Sequence, residues 1–166
     1  MITIIFEAHS TTLDNEAHRA SGWVDVDLSE LGKKQSIELK DRYQGKALDA
    51  IFTSDLQRAV KSGVPLANEL KIPIYPDARL RECDYGELDG ADKSLVEKKK
   101  KDRLNTPFPQ GESYEDCMAR MKDFLDYLAI NFAGKTVMVI GHRATQYGLE
   151  HHINGKDIYA CVTDPW

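Results

Sequence analysis

Three strand-like segments of this chain each lead into side chains that can attack, move a proton or hold an anion. His9 follows the apolar run Ile2-Thr3-Ile4-Ile5-Phe6, Ser54 and then Arg58 follow residues 49–53, and His142 with Arg143 follows residues 136–140. An imidazole works as nucleophile or proton carrier near neutral pH, and a guanidinium grips oxyanions through a planar fork of N–H groups. A lone strand-end histidine is most often a structural hydrogen-bonder. In an open parallel sheet, however, ligands bind beyond the carboxyl ends of the strands, where loops and helix N-termini converge. Two histidines and an arginine, far apart in sequence, are therefore expected to share one rim.

The elements that must build that rim alternate between strand-like and helix-like, without repeats, which predicts one α/β domain over residues 1–166. The run 2–6 is β-branched with only Thr3 polar, as expected for a central strand covered on both faces. A polar segment, 7–27, follows, and Ser29 is placed to N-cap the next helix. Residues 49–53 read as a second strand. Ser54-Asp55-Leu56-Gln57 reads as a capping box opening a helix, in which Pro65 should kink or restart the chain. Residues 72–75 contain a proline and suit an edge strand. The run Lys98-Lys99-Lys100-Lys101, bracketed by Glu97 and Asp102, reads as a solvated helix face, with a phosphate-attracting rim as the alternative. A further helix starts near Ser113 and carries Met118, Met121, Leu125, Leu128 and Phe132 at core spacing. After the strand at 136–140, a last helix runs to about Ile153.

Composition removes several classes of function. With 22 Lys+Arg against 27 Asp+Glu the net charge is −5, which repels polyphosphate backbones and argues against nucleic acid as a partner. No apolar stretch approaches the roughly 18 residues that span a bilayer, and residues 1–6 are too short for a secretory core, so a cytoplasmic protein without a membrane partner is expected. Cys83, Cys117 and Cys161 are odd in number and widely spaced, with no C-x-x-C pair; free thiols are expected rather than a disulfide or a zinc site. A homo-oligomer stays open. The terminal Thr163-Asp164-Pro165-Trp166 reads either as a docking tail or as a truncation point.

Six segments carry a more specific signal. They are Ala8-His9-Ser10-Thr11-Thr12 with Asn15; Ser21-Gly22-Trp23-Val24-Asp25-Val26-Asp27-Leu28-Ser29; Thr53-Ser54-Asp55-Leu56-Gln57-Arg58-Ala59; Leu80-Arg81-Glu82 with Tyr85, Gly86 and Gly90; Gly111-Glu112-Ser113; and Gly141-His142. In this order they resemble the motifs of the phosphoglycerate-mutase-like histidine phosphatases, over nearly the whole chain. The resemblance implies a three-layer α/β/α sandwich with a mostly parallel central sheet. It also implies catalytic roles for His9, Arg58, Glu82 and His142, and substrate contacts for Asn15, Ser21, Gly22, Tyr85 and Lys93.

On that resemblance the residue types describe phosphomonoester hydrolysis. A neutral His9 attacks phosphorus and forms a labile phosphoramidate, splitting one hard step into two. Glu82 protonates the leaving oxygen and then deprotonates water, while Arg58 and His142 hold the equatorial oxygens. No metal or other cofactor is required, and the expected partner is a small phosphorylated metabolite. One departure stands out. The family places an arginine before the nucleophile, and this chain has Ala8, flanked by Glu7. Losing one preorganised donor to an oxyanion typically costs ~10²–10³ in rate. Arg143, Arg19 and, more remotely, Lys93 are the candidates to replace the lost cation. The alternatives to a phosphatase are a catalytically weak or inactive relative that binds an anionic ligand and, less favoured, a phosphomutase, for which 93–110 offers no second arginine pair.

Overall fold

Strand β6 (Thr136–Gly141) has no side chain of its middle four residues exposed: Val137, Met138, Val139 and Ile140 are all fully buried. Such burial on both faces requires a helix layer above and below the sheet. A computed structural model, which describes residues 1–164, shows those layers; Pro165 and Trp166 of the terminal segment lie outside the described residues. Val137 and Val139 pack with Met121, Phe124 and Leu128 of α5 (Tyr114–Asn131) and Leu149 of α6 (Arg143–Asn154). Met138 and Ile140 pack with Leu39 of α2 (Glu30–Tyr43) and Ala59, Leu66 and Ala67 of α3 (Gln57–Leu70). The fold is thus the expected three-layer α/β/α sandwich. Among the described residues no helix is long and apolar enough to cross a membrane.

All four strands of the main sheet are parallel, in the order β1 (Thr3–Ala8), β6, β3 (Ala50–Thr53), β4 (Ile74–Pro76). The proline-bearing β4 takes an edge, as its composition predicts. The expectation for β1 is corrected: it is the other edge strand, and β6 beside it is central. Its apolar run has a different cause. Phe6 and Ile4 pack on the α5 side and Ile5 on the α2 side, so both faces are covered although one edge has no strand beside it. Hydrophobicity reports covered faces and says nothing about edges.

Four other expectations change. The polar segment 7–27 contains a short helix, α1 (Leu13–Glu16), capped by Thr12 and Asn15, and a two-residue strand, β2 (Arg19–Ala20), which pairs antiparallel with β5 (Ala91–Asp92). Ser54 does not cap α3. That helix starts after Leu56, and Asp25 accepts the backbone N–H of Gln57 at 2.8 Å instead. α3 also runs unbroken through Pro65. Lastly, α6 is followed by α7 (Ile158–Thr163). Ser29 and Ser113 do cap α2 and α5 as the sequence predicts.

The lysine run is not a uniformly solvated face. α4 (Lys93–Lys99) passes into a 3-10 turn, Lys100–Arg103, and there Lys100 is 4% exposed. Its ammonium bonds Glu97 at 2.9 Å and the Tyr147 hydroxyl at 3.3 Å. Burial without a partner would be prohibitive for an ammonium, and the carboxylate at i−3 supplies one.

Candidate active site

The carboxyl ends of β1, β3 and β6 open into one cleft with about 140 Å³ of free volume. The residues to which the resemblance gives a catalytic or substrate-contact role line it: His9, Asn15, Ser21, Gly22, Arg58, Glu82, Tyr85, Lys93 and His142, together with Arg143, Ala8 and Arg19; Ser54 does not. β1 delivers Ala8 and His9, the start of α3 delivers Arg58, and the end of β6 delivers His142. The β2–β5 ladder closes the mouth by placing Arg19 beside the start of α4, with the backbone N–H of Lys93 donating to the His18 carbonyl at 2.9 Å.

The two imidazoles face each other with ring centroids 4.9 Å apart. Nδ1–H of His9 donates to the Ser10 carbonyl at 2.8 Å. That bond fixes the tautomer and leaves the lone pair on Nε2. Burial, and then the nearby Arg58 cation, lower the His9 pKa from 6.5 to about 4, so the ring is neutral at physiological pH. His142 is held well below the ordinary value by burial, followed by Arg58 and His9. Its Nε2 lies 2.7 Å from Ser54 Oγ, and its buried Nδ1 has no protein partner among the described residues. With the Ser54 hydroxyl donating to Nε2, Nδ1 carries the proton and can donate to an anion.

Arg58 is 2% exposed and is oriented by two backbone carbonyls, Val24 at 2.8 Å and Gly22 at 2.7 Å. Ser62, one turn along α3, accepts the Ser10 N–H at 2.8 Å and donates to the Arg58 carbonyl at 2.7 Å. The loop after His9 and the helix turn that carries Arg58 are therefore tied to each other through Ser62. Glu82 sits over the N-terminus of α6, where its carboxylate accepts N–H bonds from Ala144 (3.1 Å) and Arg143 (3.3 Å), and also from Cys83 (2.9 Å). Helix N-terminal amides are a natural seat for a carboxylate.

Asn15, Ser21 and Gly22 each also make contacts within the protein. Asn15 accepts the Thr12 N–H on Oδ1 at 3.0 Å, which fixes the orientation of its amide; Nδ2 is the end that can donate to an anion. The Ser21 hydroxyl donates to Asp14 at 3.0 Å. Gly22 has φ of +51°, and a Cβ there would collide with the Asp89 carboxylate. Its close approach is to that side chain, which in turn accepts the Trp23 and Tyr85 N–H groups. Burial raises Asp89 to about 6.

The cations offered as substitutes for the missing arginine all reach the cleft, but they are not equivalent. Arg143 donates to Glu97 at 2.8 Å, the carboxylate that also holds Lys100, and Glu97 itself lines the cleft. Arg19 and Lys93 are exposed at the mouth. Sequence reasoning missed Glu97 as a wall residue and Ser54 as the partner of His142. The i, i+3 pairing of Glu97 with Lys100 was the available signal for the first; nothing in the sequence marks the second.

Cys83, Cys117 and Cys161 are free and buried. Cys83, Glu112 and Cys117 bring potential ligand atoms within 4.8 Å of one another. That cluster already holds a cation, because Arg120 lies 2.9 Å from Glu112 Oε2 and 3.3 Å from Cys117 Sγ.

Residues 4–161 match the family model of the histidine phosphatase superfamily (branch 1). The chain is 29% identical to a 2,3-bisphosphoglycerate-dependent phosphoglycerate mutase of Staphylococcus carnosus, over 93% of this chain and 86% of that protein. Other mutases align over less than half their length, such as that of Staphylococcus saprophyticus, 39% identical over 60% of this chain and 46% of its own. Among solved structures, Bacillus stearothermophilus YhfR superposes with a TM-score of 0.86 at 25% identity, covering 100% of this chain and 86% of that one. A mycobacterial glucosyl-3-phosphoglycerate phosphatase gives 0.85 at 23%, covering 95% and 84%, a likeness of fold.

Proposed function

Because the chain belongs to the histidine phosphatase superfamily, we propose that it is a metal-independent phosphatase that hydrolyses small phosphomonoesters through a phosphohistidine on Nε2 of His9. One observation carries this reading: a neutral imidazole whose Nδ1–H is tied to a carbonyl, facing a second neutral imidazole and a buried guanidinium in the same cleft. In the first step Glu82 enters as the neutral acid: the Nε2 lone pair forms the N–P bond as the P–O bond to the leaving group breaks, and the Glu82 proton passes to the departing oxygen. In the second, Glu82 takes a proton from water, the new P–O bond forms, and the N–P bond breaks to release phosphate. Arg58 and Nδ1 of His142 hold the equatorial oxygens throughout. Asn15, Ser21, Gly22, Tyr85, Lys93 and Arg143 line the space left for the rest of the substrate. The substrate in this reading is a small phosphorylated metabolite, and the place of action is the cytoplasm.

A second reading, anion binding without turnover, is favoured by Ala8 and by the commitment of Arg143 to Glu97. A mutase is less favoured: Arg103, the one arginine in 93–110, donates to the Pro107 carbonyl and stacks on Phe108 outside the cleft. Phosphate release from a panel of phosphomonoesters, assayed with chelator present, separates these readings. Turnover that His9→Ala abolishes supports the phosphatase. Phosphate binding with no release from any ester supports the binding protein.

A further inference from the structure

The segment Gly111-Glu112-Ser113 stands in the sequence as a helix start, yet Glu112 precedes the helix it would serve and its carboxylate faces inward onto Arg120, two turns into α5. The two side chains are 18% and 14% exposed. Arg120 Nη1 donates to the carbonyls of Arg79 (2.8 Å) and Arg81 (2.7 Å), and Nη2 to that of Glu82 (3.0 Å). Glu112 receives Nε at 2.9 Å and Nη2 at 2.9 Å, and its Oε2 also accepts the Asp84 N–H at 3.0 Å. One ion pair thus ties down four of the six residues from Arg79 to Asp84.

We propose that the Arg120–Glu112 pair is a positioning device for the proton-donating carboxyl of Glu82, an inference that rests on the reading of Glu82 given above. Glu82 lies in a segment without regular structure between two 3-10 turns; apart from the pair, its backbone is tied to the rest of the fold by the Trp23 indole N–H on the Glu82 carbonyl at 2.8 Å and the Thr145 hydroxyl on the Leu80 carbonyl at 2.8 Å. Its carboxylate must nevertheless sit on the N–H groups of Arg143 and Ala144, which belong to a different element. The pair sets the backbone of the segment, and the backbone sets the carboxyl. Only a planar fork with five N–H groups can serve three carbonyls and a carboxylate at once; a lysine ammonium has three donors and no fixed plane. Without Arg120 the Arg79 and Arg81 carbonyls lose the donor they share, while that of Glu82 keeps the Trp23 indole N–H, so the segment is driven to rearrange on the Arg79–Arg81 side. Displacement of a reacting group by about 1 Å can cost ~10²-fold in rate.

The test uses Arg120→Met, Arg120→Lys, Glu82→Gln and the Glu82→Gln/Arg120→Met double variant, with glycerol phosphate and 4-nitrophenyl phosphate as substrates. Amide hydrogen exchange is measured in parallel and needs no activity. Arg120→Met is expected to accelerate exchange at Cys83, Asp84 and Ala144 at least about tenfold while residues 137–140 stay protected. It is expected to lower kcat for glycerol phosphate by about tenfold to a hundredfold, and for the activated aryl ester by less than about threefold, with KM little changed. Arg120→Lys should restore part of the loss, and the double variant should be no worse than Glu82→Gln, because both act through one group. Unchanged exchange at the three amides overturns the proposal, as does equal loss on both substrates with Arg120→Met when Glu82→Gln is selective. If Glu82→Gln itself loses both substrates equally, or the wild type turns over neither, the acid role has failed and exchange alone decides whether the clamp exists. Should Arg120→Met fail to fold by circular dichroism, Glu112→Gln carries the same comparison.

Discussion

His9 and His142 approach within 4.9 Å, ring to ring, but different partners orient them: the Ser10 carbonyl takes Nδ1–H of the first, and the Ser54 hydroxyl meets Nε2 of the second. The two rings therefore turn unlike nitrogens toward ligand chemistry, Nε2 from His9 and Nδ1 from His142. In the proposed mechanism one serves as nucleophile and the other as donor, although the residue type is the same.

The His9 pKa should show directly in solution. Burial and Arg58 disfavour its charged form, so a ring-carbon NMR titration is expected to give a midpoint of about 4 in place of 6.5, moving upward in Arg58→Met. The sign for stability follows. The unfolded chain binds this proton near pH 6.5 and the folded one only near 4, so the contribution to folding is complete above 6.5 and is lost as pH falls toward 4. A midpoint at 6.5 in the folded protein would contradict the neutral nucleophile.

Ser54→Ala removes the partner of a fully enclosed ring nitrogen. Leaving Nε2 of His142 unsatisfied should cost about 1–3 kcal/mol in urea denaturation and slow turnover, since nothing then selects the tautomer with Nδ1–H. Ser54→Thr keeps the hydroxyl and should recover both. Wild-type turnover in Ser54→Ala would show that the bond does not orient His142.

Ala8→Arg returns a cation to the position beside the nucleophile. Ala8 lines the cleft and its side of β1 is open, so the larger side chain has room. Turnover should rise at least about tenfold if the missing charge limits the rate. No change in kcat would mean that Arg143, Arg19 or Lys93 already fills the gap.

Much of the fold and the site is legible in the sequence, for identifiable reasons. Parallel strands bury both faces and present their carboxyl ends to ligands, so the strand pattern alone brings His9, Arg58 and His142 to one rim. Local hydrogen-bonding rules place the caps at Ser29 and Ser113 correctly. The same rule fails at Ser54, because a tertiary partner 88 residues away takes its hydroxyl while Asp25 takes over at the helix start. Strand order fails at β1 because covered faces and covered edges leave the same apolar pattern. The burial of Lys100 is hidden inside a charge run. The work of Arg120 is invisible, since its partners are carbonyl groups about 40 positions distant that carry no sequence signal.

The central claim is a covalent bond between phosphorus and His9, and rapid-quench labelling tests it most directly. Wild-type protein mixed with a phosphate-labelled aryl ester and quenched in alkali should carry an acid-labile, alkali-stable phosphoryl group on His9. Label should be absent from His9→Ala, and Glu82→Gln should still acquire it from the activated ester. Labelling that persists in His9→Ala, or burst-phase turnover with no phosphohistidine in the wild type, would contradict the account.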